Sequence, residues 1–146
     1  MIGRPYDGAS HDASSSPPVL VVDQDEHAAA ITLAALGDGG YPSVGEQDGD
    51  AALRHARSAL VRLVVSELYV ACAEGPCVVT VLKGERDRLP RLRVLVYTEH
   101  GQRADIEWAL ATGCDAFVLK SAEARVLLRE VARLDGAPGP AAGGER

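Results

Sequence analysis

The chain has 146 residues, enough for one compact domain, and its 47% hydrophobic and 25% charged residues support an ordinary packed core. A net charge of −6 repels phosphate backbones and argues against direct nucleic-acid binding. No apolar run reaches membrane-spanning length, and the N-terminus lacks an apolar signal core, so no membrane partner is expected.

The three cysteines, Cys72, Cys77 and Cys114, are odd in number and lack CxxC spacing. His27, His55 and His100 are scattered, so a zinc site has no ligand set; the thiols read as those of a reducing cytoplasm. Aromatic residues are few, with Phe117, Trp108 and four tyrosines, which leaves the core to Val, Leu and Ala.

Residues 1–18, rich in Ser, Gly and Pro, have no hydrophobic period and read as a flexible tail. Residues 136–146, "GAPGPAAGGER", read the same way, which leaves an ordered domain over 19–135. Within it, strand and helix patterns alternate. "PVLVVD" is a continuous apolar run ending in Asp23, the mark of a strand buried on both faces of a parallel sheet. The Ala-rich "DEHAAAITLAAL" is a helix, with Asp25 as N-cap and Gly37 near its end. "YPSVGE" is a short strand that Pro42 pushes toward an edge. "DGDAALRHARSAL" is a second helix opened by Asp48 or Asp50. "VRLVVSE" is the next buried strand, running into Glu67.

Segment 76–83, "PCVVTVLK", has the position of a helix against the preference of its β-branched residues. "RLRVLVYT" is a strand and "RADIEWALATG" a helix stopped by Gly113, with Ile106, Ala109 and Leu110 as its buried stripe. "DAFVLK" is the last strand. "AEARVLLREVARL" is a helix with Val126, Leu127, Val131 and Leu134 on one face. Five βα units in series predict an α/β fold, a doubly wound parallel sheet with right-handed crossovers. Ligands of such sheets bind at the C-terminal strand ends. The residues there are Asp23 with Gln24, Glu67, Thr98 and Lys120: acids, a hydroxyl and a lysine.

The pieces "VLVVDQDE", "GYPSVGEQDGDAAL", "VLVYTEHG" and "ATGCDAFVLKS", in this order and spacing, resemble the receiver domain of two-component response regulators over nearly the whole ordered region. The resemblance implies a flavodoxin-like (βα)5 fold with strand order 2-1-3-4-5. It further implies an aspartate after the third strand that accepts a phosphoryl group from a histidine kinase, with carboxylates after the first strand binding Mg²⁺. It places Lys120 at the phosphate-pairing lysine, Thr98 and Phe117 at the switch positions, and Asp23, Gln24 and Tyr69 at the acidic, metal-binding pocket. Phosphoryl transfer needs an aligned oxygen nucleophile and cations to take up spreading charge.

The sequence departs from that pattern at the chemistry. Glu67 holds the acceptor position, Gln24 the second acidic position, Ser121 follows the lysine, and Ala71 replaces a proline of the following loop. A neutral amide is a poorer ligand for a hard cation than a carboxylate. The extra methylene of Glu67 moves its oxygens off the in-line position, and a misplacement of about 1 Å can cost ~10²-fold in rate. The departures therefore imply that phosphorylation is impaired or lost, that no cofactor is required, and that any Mg²⁺ binding is weak.

Two readings of Glu67 stand beside each other. Its carboxylate, reaching toward Lys120 and Thr98, holds an active-like state without a kinase, or it forms a salt bridge at a disused site. Asp23 reads as a pocket residue, since Asp25 is available as N-cap. Thr98 reads as a switch or as turn chemistry, and Phe117 as core packing besides its switch position. Trp108 is placed at the rim of its helix, as an interface anchor or folded onto its neighbours.

The leading functional expectation is an atypical, non-enzymatic receiver. It signals to a regulatory protein or a second copy through the face of the fourth helix, fifth strand and fifth helix, with a histidine kinase as a further partner. The alternative is a small-molecule-sensing pseudo-receiver using the altered pocket. An enzyme on this sheet is the weakest reading, because neither GxGxxG, P-loop nor nucleophile–base context is present.

Overall fold

A computed structural model describes residues 18–58 and 61–136. The tails expected at the two ends lie outside the described residues, apart from Pro18 and Gly136, and Gly136 is the last residue of the final helix rather than part of a tail.

Five strands, β1 (Val19–Val22), β2 (Ser43–Glu46), β3 (Leu63–Ser66), β4 (Arg93–Thr98) and β5 (Ala116–Leu119), alternate with five helices. These are α1 (Glu26–Asp38), α2 (Gly49–Ser58), α3 (Val78–Gly84), α4 (Arg103–Ala111) and α5 (Ala124–Gly136). The strands form one parallel sheet in the order β2-β1-β3-β4-β5, the 2-1-3-4-5 order expected from the resemblance.

The pleat explains the core. Leu20, Val22, Val64, Val94 and Val96 face one side, where α2 and α3 cover them with Ala52, Leu53, Ala56, Val78, Val79 and Leu82. Val19, Val21, Leu63, Val65, Leu95 and Val118 face the other, against Leu36 of α1 and Leu127, Val131 and Leu134 of α5. Alternate residues of each central strand thus serve opposite layers, which is why β1 is apolar throughout and β3 is apolar up to its last residue, the buried Ser66. β2 is one of the two edge strands, the position Pro42 pointed to, and its Val44 and Gly45 are exposed. No helix among the described residues is long and apolar enough to cross a membrane.

Local signals set most boundaries. Asp25 caps α1, accepting from His27 N–H (2.9 Å) and Ala28 N–H (3.2 Å), and Asp48 accepts from Ala51 N–H (2.9 Å) at the start of α2. The first helix outruns Gly37 and is capped at Gly39. α4 ends before Gly113, whose φ of 85° favours glycine. α3 forms in spite of its valines, because Val78, Val79 and Leu82 are all buried; burial overrides a propensity worth a few tenths of a kcal/mol per residue.

One expectation fails at α4. The stripe predicted as Ile106, Ala109 and Leu110 is buried only at Ala109; Leu110 is 61% exposed and Ile106 half-buried. Trp108, read from the sequence as a rim residue that anchors an interface or folds onto its neighbours, follows the second reading and packs half-buried against the core. Ala109 lies flat on the core and turns its neighbour Leu110, about 100° further round the helix, out to solvent.

Candidate functional site

The sheet's own ladder presents the site. Asp23 follows β1 and its N–H donates to Glu46 O (3.1 Å). Glu67 follows β3, donating to Val22 O (2.9 Å), and Lys120 follows β5, donating to Thr98 O (2.8 Å). Thr98 is the last residue of β4. Four residues distant in sequence are therefore held at one end of the sheet by backbone bonds alone.

Their side chains converge. The Lys120 ammonium lies 2.7 Å from Asp23 Oδ2 and 3.0 Å from Glu67 Oε1. The second Glu67 oxygen, Oε2, accepts from Leu68 N–H (2.8 Å) and from the Thr98 hydroxyl. That hydroxyl, fully buried, accepts in turn from His100 N–H (3.1 Å). Asp23, 5% exposed, also takes the Asp25 N–H on Oδ1 (2.9 Å). Two acids share one ammonium, and each keeps a backbone donor, so neither charge is buried without partners. Burial pulls the Lys120 pKa down, but hydrogen bonds to Asp23 and Glu67 and the charge of both carboxylates outweigh it, leaving the ammonium raised above its ordinary value. The ammonium also sits 5.9 Å above the centre of the Tyr97 ring.

An open cleft of about 240 Å³ lies over these residues, lined also by Gln24, Asp25, Ala28, Tyr69, Glu99 and His100. Gln24 is exposed at its edge. Tyr69 lines the cleft, but its hydroxyl leaves the acids, donating to Asp105 Oδ1 on α4 (2.6 Å). That hydrogen bond first, then burial, pushes the Tyr69 pKa up to about 12. Its ring meets those of His100 and Trp108, with centres 5.1 and 5.6 Å away. Phe117 lies apart from the cluster, half-buried against the core beneath α4.

Mg²⁺, which the resemblance implies, does not fit this donor set. Lys120 already occupies one oxygen of Asp23 and one of Glu67, the other two accept N–H or O–H groups, and Gln24 is neutral. Among the described residues no three His, Cys, Asp or Glu side chains group closely enough to hold an ion.

The sequence reading brought Asp23, Glu67, Thr98 and Lys120 to one place, and the fold puts them there. It passed over His100 and Asp105. Asp105 had a sequence signal, an acid three residues after the helix N-cap Gln102; His100 had none, since only the fold brings the fourth strand's exit loop beside Glu67.

The response regulator receiver domain model matches residues 19–132. A transcriptional activator, ExaE of Pseudomonas putida, is 32% identical over 119 residues, covering 80% of this chain and 54% of that protein. The CAI-1 autoinducer sensor kinase/phosphatase CqsS of Vibrio cholerae serotype O1 is 25% identical over 114 residues, 78% of this chain and 17% of its own length. The chain thus spans about half or less of these two relatives. Among solved structures, the isolated receiver domain of RcsB from Salmonella enterica serovar Typhimurium, determined with the phosphomimetic BeF3−, superposes with a TM-score of 0.71 at 19% identity, over 83% of this chain and 89% of that one. By matched sequence, strand order and fold, the chain belongs to the response regulator receiver domains of two-component signalling.

Proposed function

We propose that this receiver works without aspartyl phosphorylation, with Glu67 in the acceptor position serving as a permanent substitute for the phosphoryl group. One observation carries the reading: a single carboxylate bonds the Thr98 hydroxyl and the Lys120 ammonium together. These are the two groups that, by resemblance, would meet a phosphoryl oxygen. The longer glutamate side chain supplies the reach an aspartate lacks. The half-buried Phe117, packed on the core, is in keeping with a switch held in one position.

The substitute is partial. A phosphoryl group brings about −2 charge and three acceptor oxygens, whereas Glu67 brings one charge and two oxygens. Lys120 makes up part of the difference by drawing Asp23 into the same cluster. The output of this state is contact with a regulatory protein, or a second copy, through α4, β5 and α5, where Leu110 stands 61% exposed. The acidic surface, at −6 overall, speaks against nucleic acid as a direct partner of this domain. The small-molecule reading is weaker, since a cleft of about 240 Å³ is below the ~300–1,000 Å³ of most ligand sites.

The test is intact mass after incubation with Mg²⁺ and a small phosphodonor, for the natural chain and a Glu67→Asp, Gln24→Asp double variant. The expected result is no phosphoryl adduct on the natural chain and one on the double variant. An adduct on the natural chain overturns the proposal.

A further inference from the structure

We propose that Tyr69 is a positioning residue that couples the Glu67 pocket to α4, by holding the carboxylate that caps that helix; this rests on the reading of Glu67 just given. The Asp105 carboxylate has two tasks. Its Oδ2 accepts from the N–H of Gln102, the N-cap of α4 (3.3 Å), and its Oδ1 accepts from the Tyr69 hydroxyl (2.6 Å). Helix cap and phenol share one carboxylate, and a hydroxyl-to-carboxylate bond of that length is of the charge-assisted kind.

Tyr69 is tied back to the pocket from two directions. Through the chain, its neighbour Leu68 donates its N–H to Glu67 Oε2. Through space, its ring meets His100 edge-on at 5.1 Å, and His100 N–H donates to the Thr98 hydroxyl, which donates to the same Glu67 Oε2. Glu67, Leu68, Tyr69, His100 and Thr98 form a closed ring, and one oxygen joins its two ends. On the helix side the Tyr69 ring also meets Trp108 at 5.6 Å, tilted by 41°. A residue 41% exposed would ordinarily be free to change rotamer; this one is fixed by one hydrogen bond and two ring contacts. Removing the Glu67 carboxylate takes the shared acceptor from both arms of the ring, so the Tyr69 hydroxyl loses its register with Asp105. The raised Tyr69 pKa agrees with a phenol that stays protonated as a donor.

The experiment is amide hydrogen exchange of α4, with fluorescence of Trp108 as the reporter. Trp108 is the one tryptophan of the chain. The proteins are the natural chain, Glu67→Ala, Tyr69→Phe and the double variant; Glu67→Gln replaces Glu67→Ala if the latter does not fold. Each single change is expected to speed α4 exchange by roughly three- to tenfold, the loss of about one hydrogen bond. The double variant should exchange no faster than the faster single one, because both act through one linkage. Multiplying effects, or a Tyr69→Phe variant that exchanges like the natural chain, overturn the coupling and leave the Glu67 reading standing. A Glu67→Ala variant that leaves both α4 and Trp108 unchanged overturns the functional reading itself, and the coupling with it.

Discussion

The Lys120 ammonium lies 3.0 Å from Glu67 Oε1 and reaches a second acid, Asp23, on its other side at 2.7 Å. One cation therefore holds together the exits of three strands, β1, β3 and β5. All three side chains are largely shielded, at 14%, 15% and 8% exposure for Lys120, Glu67 and Asp23. Removing the cation should be costlier than breaking a surface pair, since it leaves two like charges facing each other in a confined space.

Lys120→Met is accordingly expected to lower the unfolding free energy by about 3 kcal/mol, measured as a fall in the urea midpoint at unchanged slope. A loss within the ~0–1 kcal/mol range of exposed pairs would show that the cluster is effectively solvated.

The same pair predicts a pH dependence. The Lys120 pKa is raised in the fold, so the folded state holds this proton more tightly than the unfolded chain. Its contribution is whole below the ordinary lysine value of about 10.4 and fades as pH rises through the higher folded value. Tyr69 and Tyr97 are also raised and lose stability in the same direction. The measurement is therefore the difference between the natural chain and Lys120→Met, which should be flat from neutral to mildly alkaline pH and shrink only in strong alkali.

Thr98 separates a hydroxyl role from a packing role. Thr98→Val keeps the shape but leaves Glu67 Oε2 without one donor and His100 N–H without its acceptor, which should cost about 1–3 kcal/mol. Thr98→Ser should retain most of the stability. A loss in Thr98→Ser as large as that in Thr98→Val, read by denaturant unfolding, would show that packing of the methyl contributes as much as the hydroxyl.

Gly49 opens α2 beside the loop that follows the pocket. A Cβ there would fall 2.0 Å from Ala71 O, and the neighbouring Asp50 accepts from Ala73 N–H at 2.8 Å, so the loop cannot simply retreat. Gly49→Ala should destabilise by roughly 1–3 kcal/mol. Gly37, inside α1 with nothing within 4 Å of a Cβ, is the opposite case, and Gly37→Ala should stabilise by about 0.5–1 kcal/mol. Thermal melts of the two variants should move in opposite directions.

The misfit of Mg²⁺ gives a further outcome. Added Mg²⁺ should leave the melting temperature of the natural chain unchanged, because a ligand that does not bind the native state cannot stabilise it. The Glu67→Asp, Gln24→Asp double variant should melt higher with Mg²⁺ than without. A Mg²⁺-dependent rise in the natural chain would show that Lys120 yields its place to the ion.

Much of this architecture is readable along the chain. Hydrophobic runs that end in Asp23 and Glu67 mark central strands of a parallel sheet, because only a strand covered on both faces can be apolar at successive positions. The order of the pieces from "VLVVDQDE" to "ATGCDAFVLKS" leads to the fold, and the strand-exit rule leads to Asp23, Glu67, Thr98 and Lys120. α3 was legible from its place in the βα rhythm, against its own propensity. The face of α4 was not: Ala109 alone of its nine residues is fully buried, and the choice between Ala109 and Leu110 depends on how the helix lies on the sheet.

What the sequence determined by itself is therefore periodic or positional: the alternation of elements, the two-sided burial of the central strands, the cap at Asp25, and the set of side chains delivered to one end of the sheet. The tertiary structure alone decided which of those side chains touch. That Lys120 bridges Glu67 and Asp23, that Thr98 donates to the same carboxylate, and that Tyr69 turns from the acids to Asp105 follow from side-chain geometry across strands up to 97 residues apart. A local pattern specifies where a Cα sits in the pleat, whereas contacts of about 3 Å depend on rotamers chosen jointly by every neighbour.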